Sequence, residues 1–193
     1  MNKIEAYLKG YTEGDGNLYS SLNNRGYPKV EICWCDKNKI QLEKIQKILE
    51  KIFNKKLHLK KVKKYYVLKC GHKKIFSYIK GLLKTNIWIC RRPLIKKFIR
   101  GFFDAEGCVR KTYQIHNSKK YPFMRLTITQ KNKKILEEIR KFLLILNIKS
   151  ALIRKWHQTG YELYITSRNA KMFYDEIGFE HPDKVAKFCS SPS

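Results

Sequence analysis

The chain has 193 residues, enough to bury roughly 70% of its unfolded surface around a core of its own, without metals or disulfides. With 42 Lys plus Arg against 16 Asp plus Glu the formal charge is +26, far beyond what solubility asks, and nucleic acid is the simplest polyanion to expect opposite it. No apolar run approaches the roughly 20 residues of a membrane span and the N-terminus has no apolar signal core, so a soluble intracellular protein with no membrane partner is expected. The six cysteines are irregularly spaced without a CxxC pair, which points to reduced thiols; a metal site from Cys33, Cys35, Cys70 and His72 is the lesser alternative.

In chain order the patterns predict a helix at about 3–13, strands at 17–24 and 28–35, a helix at 37–53, strands at 57–63 and 65–70, and a helix at 73–84. Residues 85–93, "TNIWICRRP", join this half to the next, with Pro93 suited to a first helical turn. The second half repeats the order: helix at about 94–105, strands 108–115 and 123–130, helix 131–146, strands 149–156 and 161–167, helix 169–177. A last helical piece falls in "HPDKVAKF", and "CSSPS" is expected to fray. The expected fold is α+β: two pseudo-symmetric αββαββα lobes, residues 1–90 and 91–193, in one compact monomer.

The repeat is visible residue by residue. Gly10, Asp15 and Gly16 match Gly101, Glu106 and Gly107 at an offset of 91, and "DKNKIQLEKIQKIL" (36–49) then matches "QKNKKILEEIRKFL" (130–143) at an offset of 94. The three added residues are expected in the loop "HNSKKYP", 116–122. Alternation gives each lobe a sheet with one apolar side and one polar side. Val30, Ile32 and Trp34 in the first half, and Val109, Tyr113, Ile115, Met124, Leu126 and Ile128 in the second, are expected to face helices. Tyr19, Ser21, Asn23, Arg25, Glu31, Cys33 and Cys35, then Arg110, Thr112, Gln114, His116, Arg125, Thr127 and Thr129, face away and offer groups for base edges and phosphates.

Each motif ends a helix with an acid followed by glycine. Gly10 with Gly14, and Gly101 with Ala105, put small residues four apart, so two such helices can approach closely and deliver Asp15 and Glu106 side by side. Two carboxylates about 4 Å apart repel by roughly 4 kcal/mol at an effective dielectric of 20, and a helix C-terminus disfavours anions further. Such a pair wants a hard cation, Mg²⁺ before others, with phosphate oxygens and water completing its shell. Phosphodiester hydrolysis is the reaction that follows, with one scissile phosphate per strand of a duplex. Glu13 and Asp104 precede the two acids at the same phase and are read as structural.

"LKGYTEGDG" (8–16) and "IRGFFDAEG" (99–107) resemble the signature of the LAGLIDADG homing endonucleases of the single-chain, two-motif kind, and "IGFEHPDKVAKF" (177–188) is similar to their usual ending. The resemblance implies sheets forming a saddle on double-stranded DNA and metal bound by Asp15 and Glu106 with the carbonyls of Gly14 and Ala105 nearby. It implies Mg²⁺ as cofactor, with Mn²⁺ substituting and Ca²⁺ binding without cleavage, and a long pseudo-palindromic or asymmetric site cut across the minor groove to leave 3′ overhangs. Lys37 in one lobe, and Gln130 with Lys131 in the other, correspond to residues that help position water. Asp36 departs from the pattern, where a neutral polar group is the commoner occupant. Basic sheets and aromatics such as Tyr65, Tyr66 and Trp156 would also serve RNA, so an RNA maturase acting on a host intron is the alternative, and a regulator built on a dead nuclease a third. The pair of acids favours the nuclease, since binding alone has no use for it.

Overall fold

Asn2 opens the first helix, α1 (Lys3–Asp15), with a capping box: its side chain accepts the N–H groups of Ile4 and Glu5, and Glu5 accepts the N–H of Asn2. There follow β1 (Gly16–Leu22), β2 (Pro28–Asp36), α2 (Lys39–Phe53), β3 (His58–Val62), β4 (Tyr65–Cys70) and α3 (Lys73–Lys84). A 3-10 turn at Ile87–Ile89 leads into α4 (Arg92–Glu106), then β5 (Gly107–His116), β6 (Lys119–Gln130), α5 (Lys133–Ile145), β7 (Ser150–Arg154), β8 (Tyr161–Ile165), α6 (Ser167–Glu176) and α7 (Pro182–Cys189). This computed structural model describes residues 1–22, 24–116, 119–154 and 160–190, with backbone alone at 114–116, 120–122 and 154. No helix among the described residues is long and apolar enough to cross a membrane.

The chain forms two units, Met1–Gly101 and Phe102–Ser193, so the boundary falls within α4. Each unit has one antiparallel four-stranded sheet, in the orders β1-β2-β4-β3 and β5-β6-β8-β7, an α+β arrangement. The repeat expected from the sequence is thus a repeat of topology. Asn38 and Asn132, equivalent by the offset of 94, cap α2 and α5 with their side chains.

In the first unit Leu8, Tyr11, Ile32, Trp34, Leu42, Ile45, Leu49 and Leu68 are fully buried, which puts the helices on the Ile32–Trp34 side of the sheet. Trp34 Nε1, carried into this core, donates to Thr12 Oγ1 at 3.2 Å, so its polar atom is satisfied. The first turns of α4 belong here as well: Phe98 meets Trp88 edge-on at 5.5 Å and lies 5.7 Å from the Lys9 ammonium. In the second unit Phe102, Phe103, Leu126, Ile128, Leu136, Ile139, Leu143, Leu163, Ile165 and Phe173 form the corresponding core.

Three expectations need correction. Tyr113, expected inside, is 63% exposed. The β5–β6 pairing runs out to His116 and Lys119, whereas β8 joins β6 from Leu126 to Gln130, so among the described residues the far half of this hairpin has no third strand. Residues 119–122, expected within a loop, are already strand. Thr127, expected on the free side, is buried, because β6 is a central strand and Tyr164 of β8 stands directly opposite it. Asn23 and Trp156 lie outside the described residues, as do the side chains of Gln114, Ile115 and His116.

Candidate active site

Both motif helices run into a strand with no connecting residue: α1 ends at Asp15 where β1 begins at Gly16, and α4 ends at Glu106 where β5 begins at Gly107. Glycine is required by close approach. A Cβ on Gly16 would stand 2.4 Å from Thr12 Cγ2 and 2.5 Å from Thr12 O, and one on Gly107 2.4 Å from Phe103 O. The acid is therefore the last helical residue in each case, half-buried at the carboxyl end of its helix.

In the first unit the surroundings of Asp15 are acidic. The buried Tyr11 hydroxyl donates to Asp36 Oδ2 at 3.1 Å, and the Asn38 N–H donates to Asp36 Oδ1 at 2.8 Å. Burial, then the charges of Asp36 and Asp15, hold the Tyr11 phenol well above its ordinary range. Desolvation and the same two carboxylates push the Cys35 thiol up. Lys37, exposed, sits 5.8 Å from the Tyr65 ring. Glu13 is structural, as expected: it pairs at 2.5 Å with Lys9, which is only 2% exposed and also donates to Leu83 O at 2.9 Å.

In the second unit three residues singled out from the sequence come together. Gln130 Nε2 donates to Glu106 Oε1 at 3.2 Å, and Gln130 Oε1 accepts the Lys131 N–H at 2.7 Å, so one amide spans the acid and the start of the next helix. Asp36 and Gln130 are equivalent, and the units differ in placing a carboxylate or an amide there. Asp104, fully buried, accepts the N–H groups of Glu180 and His181 at 2.8 and 3.0 Å. Lys184, which sequence reasoning missed, donates to the carbonyls of Phe103, Asp104 and Ala105 at 2.7, 2.5 and 3.1 Å.

Gly10 is buried and Gly14 half-buried. At Gly101 the helices meet backbone to backbone: a Cβ there would stand 2.1 Å from Tyr7 O. Gly10, Gly14, Gly101 and Ala105 were expected to allow such an approach, and the contact with Tyr7 O lies at Gly101.

The polar faces are set by register. Tyr19 stands opposite Glu31, and Cys33 opposite Lys69. In the second sheet Arg110 faces Arg125, and Thr112 faces Phe123. Tyr19, Arg25, Cys35 and Arg110 are exposed; Ser21, Glu31, Cys33, Thr112, Arg125 and Thr129 are half-buried. Glu31 pairs with Lys69 at 3.1 Å. The Arg125 guanidinium lies 4.7 Å from the Tyr164 ring and 5.8 Å from Phe123, and its Nε is buried with no hydrogen-bond partner among the described residues. It lines an open groove of about 1080 Å³ with Thr112, Lys149, Tyr164 and Arg168.

The donors at both helix ends are carboxylate and main-chain oxygens, which fit a hard divalent ion. No group of three or more His, Cys, Asp or Glu gathers among the described residues, so an all-protein cage is absent there, and Mg²⁺ does not need one when substrate phosphates complete its shell. The Cys33–Cys35–Cys70–His72 alternative fails: Cys70 is buried opposite Ile32 on the helix-covered side, away from Cys33 and Cys35.

Comparison with known proteins gives a consistent picture. A family model described as a LAGLIDADG-like domain matches residues 93–178. Homing endonuclease I-DmoI of Desulfurococcus mucosus is 29% identical over 189 residues, covering 94% of this chain and 90% of that protein. A glutamine–fructose-6-phosphate aminotransferase of Methanocaldococcus jannaschii is 26% identical over 92% of this chain, which spans only 16% of that protein's length. The crystal structure of I-DmoI in complex with DNA and Ca superposes with a TM-score of 0.75 at 24% identity, covering 98% of each chain; related structures are of I-DmoI in complex with DNA and Mn, and of a glycine-to-serine variant of it with its target DNA in the presence of Mg. The second half of the chain, residues 93–178, is thus similar to a LAGLIDADG-like domain, and the two-unit fold is similar to that of I-DmoI along nearly the whole chain.

Proposed function

We propose that this protein is a site-specific homing endonuclease that hydrolyses both strands of a DNA duplex across the minor groove, leaving 3′ overhangs, with a divalent metal ion as cofactor. The observation that carries the reading is the duplicated junction, in which an acid closes a helix and a strand starts at the next residue, once in each unit. Ordinary surface acids have no reason to recur at a site that tolerates only glycine beside them.

Asp15 and Glu106 would hold the metal, Mg²⁺ by preference, which when bound supplies an activated water and stabilises the leaving oxygen. Gln130 orients the Glu106 carboxylate through its amide, and Lys131 in turn fixes that amide. In the first unit Tyr11 and the Asn38 N–H fix Asp36 beside Asp15. Lys37 adds positive charge near the phosphate backbone. Base reading falls to the polar sheet faces, where Arg125, stacked on Tyr164 with a buried Nε in want of an acceptor, suits a guanine edge.

The test is selection of cleaved duplexes from a randomised library, followed by Asp15→Asn and Glu106→Gln on the selected site. Cleavage is expected to vanish in both variants while binding in chelator persists. If binding is lost along with cleavage, the two acids are not catalytic. If the wild type binds a structured RNA and cuts no duplex, the protein is a maturase.

A further inference from the structure

The carboxyl end of α4 is held from the far end of the chain. Phe179 stacks on Phe103 at 5.0 Å, and Phe188 of α7 packs on Tyr174 at 4.5 Å and on Phe179 at 5.5 Å. Lys111 of β5 ties down the end of α7 by donating to Ser190 O. From this anchored segment Glu180 and His181 bond Asp104, and Lys184 reaches three consecutive carbonyls. Phe103, Asp104 and Ala105 are among the last four residues of the helix, where the regular intrahelical partners of carbonyls run out. An ammonium has three N–H groups to offer these carbonyls. Its charge also offsets the negative end of the helix dipole.

We propose that Lys184 is a positioning residue that fixes the last turn of α4, and with it Glu106, while weakening the affinity of this helix end for a divalent ion. The inference rests on the nuclease reading. Three carbonyls already engage the Lys184 ammonium, which separates it from a catalytic lysine that turns its N–H groups to a phosphate. The repulsion would come through Ala105: its carbonyl, expected near the metal, already accepts from an ammonium at 3.1 Å, so an ion held there would lie close to a fixed positive charge. Lys184 exchanges ion affinity for a carboxylate held in one place.

The experiment compares wild type, Lys184→Met and Lys184→Arg on a duplex obtained by selection, with hydrogen exchange measured on the metal-free, DNA-free protein. In Lys184→Met the cleavage rate at saturating Mg²⁺ should fall by about tenfold or more, as expected when a reacting group is misplaced by a fraction of an ångström to 1 Å. The Mg²⁺ concentration giving half-maximal rate should fall as well, with DNA affinity in chelator unchanged. Lys184→Arg keeps the charge and should leave that midpoint near wild type. The amides of Glu106 and Gly107 should exchange faster in Lys184→Met, while those of Asp15 and Gly16 do not change. A midpoint that stays or rises, a loss of DNA affinity parallel to the rate, or unaltered exchange at Glu106 overturns the proposal. Should Lys184→Met fail to fold, Lys184→Gln, an uncharged donor, is held to the same criteria. A wild type that cuts nothing refutes the nuclease reading instead, and exchange at Glu106 then decides the tether alone.

Discussion

Gly101→Ala sets two known effects against each other. In a helix interior alanine is favoured over glycine by about 1 kcal/mol. Here, however, the new Cβ would lie 2.1 Å from Tyr7 O and 3.0 Å from Tyr11 N, where ordinary contact begins at 3.4 Å, so about 1.3 Å must be found between two backbones. No flexible side chain can yield that space, and Tyr11, Phe98 and Ile99 around it are fully buried. Overpacking of this kind costs about 3 kcal/mol, the upper part of the usual range, leaving a net loss of about 2 kcal/mol. At about 2–4 °C per kcal/mol for a chain of this size, the melting temperature should fall by about 4–8 °C. Gly81→Ala is the control, since a Cβ at Gly81 on α3 meets nothing within 4 Å and should raise stability by about 0.5–1 kcal/mol. Melting both variants by circular dichroism checks the sign as well as the size. If Gly101→Ala melts at or above wild type, the close crossing of α1 and α4 is wrong.

Lys9→Met should cost about 3 kcal/mol in denaturant unfolding, because it leaves the mostly buried Glu13 carboxylate without its ammonium, and adding Glu13→Gln should recover part of that loss. Partial burial raises the Glu5 carboxyl, but bonds from the Asn2 N–H and Tyr78 hydroxyl, with the amino terminus, outweigh it and hold the group below its ordinary value. A lowered folded value stabilises above the unfolded one and is lost on acidification, so Glu5→Gln should be less stable than wild type at pH 7, with the gap closing as pH falls through the carboxylate range. For duplex DNA, neutralising about eight phosphates predicts a slope near −7 for log affinity against log salt, and a nearly flat response would exclude duplex binding driven by the net charge of +26.

Most of the architecture was legible because it rests on local chemistry repeated twice. The apolar phases of α2 and α5 and the alternation in β2 and β6 each settle one element, and the offsets of 91 and 94 let one half check the other. The acids were legible through their glycines, whose need for close approach is a backbone property. What stayed hidden depends on distant neighbours. Lys184 is one basic residue among 42 until α7 brings it to the end of α4. Lys9 looks like a solvated helix lysine, yet Glu13 and Leu83 make a buried socket for it. Tyr113 and Thr127 have the alternation right and the exposure wrong, because exposure depends on where β8 stops along β6, which no pattern within β5 or β6 records.

Helix α4 also bears on how this protein could be taken apart. The match to the LAGLIDADG-like domain starts at residue 93, an inviting place to cut when grafting the second half onto another scaffold. Ile95, Phe98 and Ile99 lie just beyond that cut, all buried in the intact chain, and Phe98 would lose the Trp88 and Lys9 that cover it. At roughly 1.5–3 kcal/mol for each large apolar side chain returned to water, the severed piece would begin with a sticky stub. A transplantable half needs polar substitutions along that stub, or a new surface to lay it on.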